Sequence, residues 1–154
     1  MLIGINGKAN RGKQQLAERI AAELGNFRIV NTDELAMELY QTNDTFKEKL
    51  VKAFGTDEFL EVSKITHESK VDLFQLYDIL FEYLIPMLDR NISSRDTIVV
   101  STFLNHLPLI DKCDTTIWVV GDEFEINNDL DYNYTYIMHA DANLAELDTP
   151  EPVL

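Results

Sequence analysis

An α/β fold, three layers built on a five-stranded and mainly parallel sheet, is what this sequence predicts, and three observations predict it. Short apolar runs rich in β-branched residues alternate with longer stretches of helical period. A glycine-rich loop joins the first such run to the first helix. The chain's 154 residues, 45% of them hydrophobic, suit one compact domain, 1–154, with a single core and no room for a second.

Each element has its own signal. "LIGIN" (2–6) is a short apolar run that stops at the glycine loop, as a buried parallel strand does. In "GKQQLAERIAAELG" (12–25), Leu16, Ile20, Ala21 and Leu24 fall at helical spacing, and Gly25 is placed to cap the C-terminus. "FRIVN" (27–31) reads as a second strand. "TDELAMELY" (32–40) reads as a helix with Thr32 or Asp33 as N-cap and Leu35, Leu39 and Tyr40 on one face.

From about 44 to 90 no strand-like run occurs, which predicts a wholly helical insertion of two or three helices. Phe46, Leu50, Val51 and Phe54 have the right period, with Gly55 behind them. The long apolar stretch 68–90 contains Pro86, expected to kink or shorten its helix because proline removes a backbone donor. "DTIVVSTFL" (96–104), "TTIWVVGD" (115–122) and the weaker "YTYIMH" (134–139) return as strands, and "ANLAEL" (142–147) as a short closing helix. In a parallel sheet ligands bind at the carboxyl ends of the strands. The loops 7–13, 31–33 and 101–106 are therefore expected to converge on one cleft.

Charge narrows the partners. The net charge is −14; residues 1–95 hold 15 acids and 12 bases, whereas 96–154 hold 12 acids and the single base Lys112. Such a field opposes nucleic-acid binding, which relies on Lys and Arg displacing counterions. The acidic final third reads as a solvated face, or more sharply as a docking surface for a basic protein. No apolar run approaches the ~18 residues of a membrane span, and the opening residues do not form a secretory signal. Cys113 stands alone, so no disulfide framework or thiolate cluster is expected. These features point to a soluble, cytoplasmic protein without a membrane partner. His67, His106 and His139 are widely spaced, with no i, i+4 pair, and read as surface or core residues rather than metal ligands. Trp118 reads as core.

The chemistry is concentrated in "GKANRGKQ", residues 7–14. It follows G-x-x-x-x-G-K-[ST] except at its last position, where Gln14 stands for the hydroxyl residue. Gly7 and Gly12 would let backbone N–H groups approach phosphate oxygens at a helix N-terminus, with Lys8, Asn10, Arg11 and Gln14 around the ligand and Lys13 bridging the phosphates. ATP is the cofactor this loop implies. Magnesium remains possible, but its hydroxyl ligand is absent, and no residue is assigned as a metal ligand.

The order of motifs resembles the P-loop kinases of the dephospho-CoA kinase and nucleoside monophosphate kinase group, a P-loop nucleoside triphosphate hydrolase-like fold. "IVNTDELAM" is similar to the strand ending in D-A-D followed by x-[IL]-A-R; "KAFG" (52–55), "LIPML" (84–88), "IVVSTFL" (98–104) and "NYTYIMHADANLAELDT" (133–149) follow in family order. The resemblance implies an ATP-dependent kinase for a nucleotide or dephospho-CoA-like acceptor. It also implies that Lys13 and Asp33 are catalytic, Asp33 facing the acceptor hydroxyl as base or orienter.

Departures are equally specific. Asn31 replaces the first aspartate of D-A-D, Met37 the arginine, Ile85 the histidine of an H-P pair and Ser101 a strand-ending carboxylate. Where the family inserts an arginine-rich lid, residues 121–133 carry Asp122, Glu123, Glu125, Asp129 and Asp131 and no base. Positioned cations supply most of the catalysis of phosphoryl transfer, so Lys8, Arg11 or a partner must stand in. The alternative reading is a degenerate fold that binds a nucleotide or a protein without turnover. A GTPase-like switch is disfavoured, because the sequence lacks an N-K-x-D motif.

Overall fold

The computed structural model describes residues 1–92, 96–121 and 132–144. Five strands occur among them: β1 (Leu2–Asn6), β2 (Arg28–Asn31), β3 (Thr97–Ser101), β4 (Thr115–Val120) and β5 (Tyr136–His139). They form one sheet in the order β2-β3-β1-β4-β5, and every pairing is parallel. The sheet is thus parallel throughout, a stricter arrangement than the mainly parallel one expected. Chain contacts divide the molecule into two compact units, Met1–Asn31 with Ile92–Leu154, and Thr32–Asn91.

In the first unit, alternation along the strands assigns each face. Ile3 and Ile5 of β1, Ile98 and Val100 of β3, and Ile117 and Val119 of β4 pack with Leu16, Ala17 and Ile20 of α1 (Lys13–Leu24). All of these residues are buried, so α1 rests on the sheet along one apolar stripe. Leu24 departs from the expected stripe and is 42% exposed, because the helix ends there and the N–H of Gly25 closes it onto the carbonyl of Ala21. The opposite face is covered by two 3-10 turns, Leu104–His106 and Pro108–Lys112. A Cβ on Gly4 would lie 2.7 Å from Leu104 Cδ2 and 2.9 Å from Cys113 Sγ, which is why β1 carries glycine there. Helix, sheet and covering turns make the three layers. The Cys113 thiol beneath them is pushed up to about 12 by burial and then by Asp114 and Asp111, which leaves it unreactive near neutrality.

The second unit is helical, as predicted for the middle of the chain. It comprises α2 (Thr32–Thr42), α3 (Asp44–Phe54), α4 (Phe59–Glu68) and α5 (Lys70–Asn91). Leu39, Phe46, Leu50, Val62, Leu76, Leu80, Leu84 and Leu88 form its buried interior. Phe46 is the aromatic hub, edge-on to Tyr40 at 5.1 Å and to Tyr83 at 5.7 Å. Val51 departs from the expected apolar face and is 45% exposed. Nor does Pro86 shorten α5, which runs five residues further to Asn91. One missing N–H costs a single ladder bond, and the leucines at 76, 80, 84 and 88 hold the helix by packing on both sides of that gap.

Asn43 caps α3, its side-chain oxygen accepting from the N–H of Phe46 at 2.9 Å. Asn43→Ala is expected to cost about 1 kcal/mol of stability by urea unfolding. An unchanged midpoint would show that the cap contributes nothing.

The second half of the expected closing helix, residues 145–147, lies outside those described. The acidic 122–131 stretch, where a lid is missing by sequence, also lies outside them. No helix of the described residues is long and apolar enough to cross a membrane.

Candidate phosphate-loop site

β1 delivers the chain to the site and α1 carries it away, with Gly7–Gly12 as the turn between them. Gly7 is buried, and a Cβ there would meet the carbonyl oxygen of Val119 at 2.9 Å, so the loop starts flat against β4. Gly12 has φ 79°, a left-handed conformation that costs a non-glycine residue roughly 1–2 kcal/mol. It is the N-cap of α1 and supplies no side-chain oxygen to the helix. Asn10, also left-handed at φ 62°, is of a residue type that tolerates this region.

The loop gathers positive charge at the start of α1. The first turn of α1 holds no acidic residue, although a helix N-terminus favours negative charge. Lys13 occupies that turn instead, only 7% exposed, and its Nζ donates to the Lys8 carbonyl at 2.7 Å. Lys8 is exposed and Arg11 partly buried. Arg11 lies over Gly121 at the end of β4, where a Cβ would come within 2.8 Å of its Nε. Three cations therefore share a seven-residue turn in an otherwise acidic chain.

Around the loop the strand ends carry neutral groups. Asn6, at the end of β1, is fully buried; its Nδ2 donates to Asn105 Oδ1 at 2.9 Å and to the Tyr134 hydroxyl at 2.8 Å, and its Oδ1 accepts from the Leu104 N–H at 3.2 Å. Ser101, level with Asn6 across the β1–β3 register, is buried, and its Oγ accepts from the Phe103 N–H at 3.0 Å. Asn31, at the end of β2, donates to Gln14 Oε1 at 3.2 Å. No cluster of three His, Cys, Asp or Glu residues able to hold a metal forms among the described residues.

A cleft of about 620 Å³ opens beside the loop, lined by Asn10, Arg11, Gln15, Arg19, His139 and Asp141 among others. Arg19 donates to the carbonyls of Ala140 and, at 2.7 Å, of Ala142, which ties the turn after β5 to α1. Of the segments 7–13, 31–33 and 101–106 expected on one cleft, the first contributes to this lining. The 101–106 segment instead folds back onto the end of β1, its backbone bonded to Asn6. The cleft accordingly opens towards β4 and β5.

Of the residues singled out from the sequence, Gly7, Lys8, Asn10, Arg11 and Gly12 lie in the turn before α1, and Lys13 and Gln14 open the helix. Asp33 lies in the first turn of α2, in the helical unit, where its charge helps raise the Tyr77 phenol, an effect secondary to burial. His139, Gln15 and Arg19 were not anticipated; the one hint in sequence was that His139 ends the last strand. Trp118 is half-buried rather than core, packed against Tyr134 at 5.5 Å between ring centres.

No protein-family model matches the sequence, and no curated protein does. Solved structures do. TT1252 from Thermus thermophilus superposes with a TM-score of 0.60 at 15% identity, covering 78% of this chain and 66% of its own. Shikimate kinase from Aquifex aeolicus gives 0.38 at 14% identity over 78% of this chain and 60% of its own; dephospho-CoA kinase from Campylobacter jejuni gives 0.48 at 12% over 77% and 65%. This chain spans less than two thirds of the length of each of the three. The fold itself is a three-layer α/β/α sandwich, shared with TT1252.

Proposed function

We propose that the chain is a nucleotide-binding phosphotransferase of the small-molecule kinase type, using ATP and a nucleotide or dephospho-CoA-like acceptor. One observation carries this reading: a glycine turn that leaves β1, holds Lys13 against the Lys8 carbonyl and opens α1 on a left-handed Gly12 with no acidic cap. An ammonium beside the positive end of a helix is a repulsive pair, and a bound phosphate relieves both partners. The cleft beside Arg11 has room for the rest of a nucleotide. In this reading Lys13 holds the transferring phosphates and Asp33 orients the acceptor hydroxyl and takes its proton.

The neutral strand ends favour a second reading in which the chain binds the nucleotide and turns it over slowly or not at all. It would then act as a regulator whose acidic final third engages a basic protein. Isotope transfer from γ-labelled ATP to a panel of nucleoside monophosphates and dephospho-CoA tests the first reading. The expected result is acceptor-dependent transfer below the usual kinase range of about 1–100 s⁻¹. ATP binding without transfer to any acceptor would favour the regulator, and absence of ATP binding would sink both.

A further inference from the structure

The proposed nucleotide site does not fit the divalent ion that such loops ordinarily share with their ligand. A phosphate loop holds Mg²⁺ through the Ser or Thr hydroxyl after its lysine and an acidic residue at a neighbouring strand end. Here the first position is Gln14, whose carboxamide oxygen accepts from Asn31 Nδ2. The ends of β1, β2 and β3 are Asn6, Asn31 and Ser101, none of them a carboxylate. The Asn6 oxygen accepts the Leu104 N–H and the Ser101 oxygen the Phe103 N–H, both inside the protein. A glutamine side chain is also longer than serine. It crowds a small octahedral ion that requires ligands at about 2.0–2.1 Å.

What the loop has instead is fixed positive charge. Lys8, Arg11 and Lys13 lie within the turn, and Arg11 is seated over Gly121, where any side chain would collide with its guanidinium. Resting on the nucleotide-binding reading, we infer that this loop binds its polyphosphate without a protein-held divalent ion, Lys8 and Arg11 supplying the charge compensation. Magnesium that arrives with ATP is then carried by phosphates and water alone. The two cations act at short range on a partly desolvated ligand, where each opposite charge weighs more than in bulk water.

Calorimetric titration of ATP into the intact protein, in excess MgCl₂ and in EDTA at matched ionic strength, tests this. Dissociation constants within about 3-fold of each other are expected, because neither Gln14 nor Asn6, Asn31 or Ser101 offers the ion a ligand to lose. Weakening by about 30-fold or more in EDTA would overturn the inference and leave the nucleotide reading standing. No binding in either medium would overturn both. The Lys8→Ala/Arg11→Ala double variant provides the second measurement. Its affinity should fall about 10-fold further in EDTA than in magnesium, since the ion then replaces the lost cations. An equal loss in both media would show that these side chains do not stand in for the ion.

Discussion

Asp33→Asn is expected to lower any γ-phosphoryl transfer by about 10²–10⁴-fold, the usual contribution of a positioned general base. The carboxamide keeps the size and one oxygen of the carboxylate but can no longer accept the acceptor's proton. Stability should change far less. Asp33 lies in the first turn of α2, where an anion complements the helix N-terminus by about 0.3–1 kcal/mol. A spectroscopic control comes with the substitution. Burial is the main cause that raises the Tyr77 phenol and Asp33 the second, so Asn should move the Tyr77 titration partway back towards its ordinary value. Transfer retained within about 3-fold, with stability lost instead, would make Asp33 a helix-start residue and nothing more.

The elements could be read in the sequence wherever local chemistry decided them. β1 and β3 are continuous apolar runs because both of their faces are covered, and α1 declares itself through Leu16, Ala17 and Ile20. The loop was legible because its two glycines and lysine answer to backbone geometry, which sequence encodes directly: a left-handed turn and a helix start. The rest depended on which strands become neighbours. Gly4 gives no local sign that a 3-10 turn lies on its Cα, since Leu104 and Cys113 are about a hundred residues away. The cleft's lining depends on the same long-range pairing. His139 and Arg11 share it only because β4 and β5 pair beside β1, and no local pattern specifies that order. Asn6 shows a further limit. In sequence it is the polar end of an apolar run; in the fold it is a fully buried junction joining β1 to Asn105 and Tyr134, a role set by long-range partners.

The loop's charge also explains how an acidic protein can attract an anionic ligand. Over the whole surface the field opposes ATP, but the ligand's phosphates would meet Lys8, Arg11, Lys13 and the α1 N-terminus at contact distance. The remote acids are screened beyond about 8–10 Å of salt solution. Binding should therefore be governed by the loop and only weakly by the net charge of −14.

Lys13→Ala should accordingly weaken ATP binding by about 30–150-fold, or about 2–3 kcal/mol, the range for a charge-assisted hydrogen bond to a partly desolvated phosphate. The ammonium is already seated where the ligand would meet it. Its Nζ lies 2.7 Å from the Lys8 carbonyl oxygen, and its Cδ would lie 3.4 Å from a Cβ on Gly7. Little side-chain ordering remains to oppose binding, so most of the electrostatic gain should appear as affinity. The ligand-free protein should tolerate the change. Removing a cation from the positive end of α1 relieves a repulsion, which offsets the lost bond to the Lys8 carbonyl. Lys13→Arg should not restore affinity, since a planar guanidinium does not reproduce the compact ammonium that donates to the Lys8 carbonyl. Calorimetry at one ionic strength, with melting temperatures recorded alongside, separates the outcomes. ATP affinity within about 3-fold of wild type in a folded Lys13→Ala protein would remove the loop as the phosphate site. A collapse of the melting temperature without ligand would instead assign Lys13 to holding the loop together.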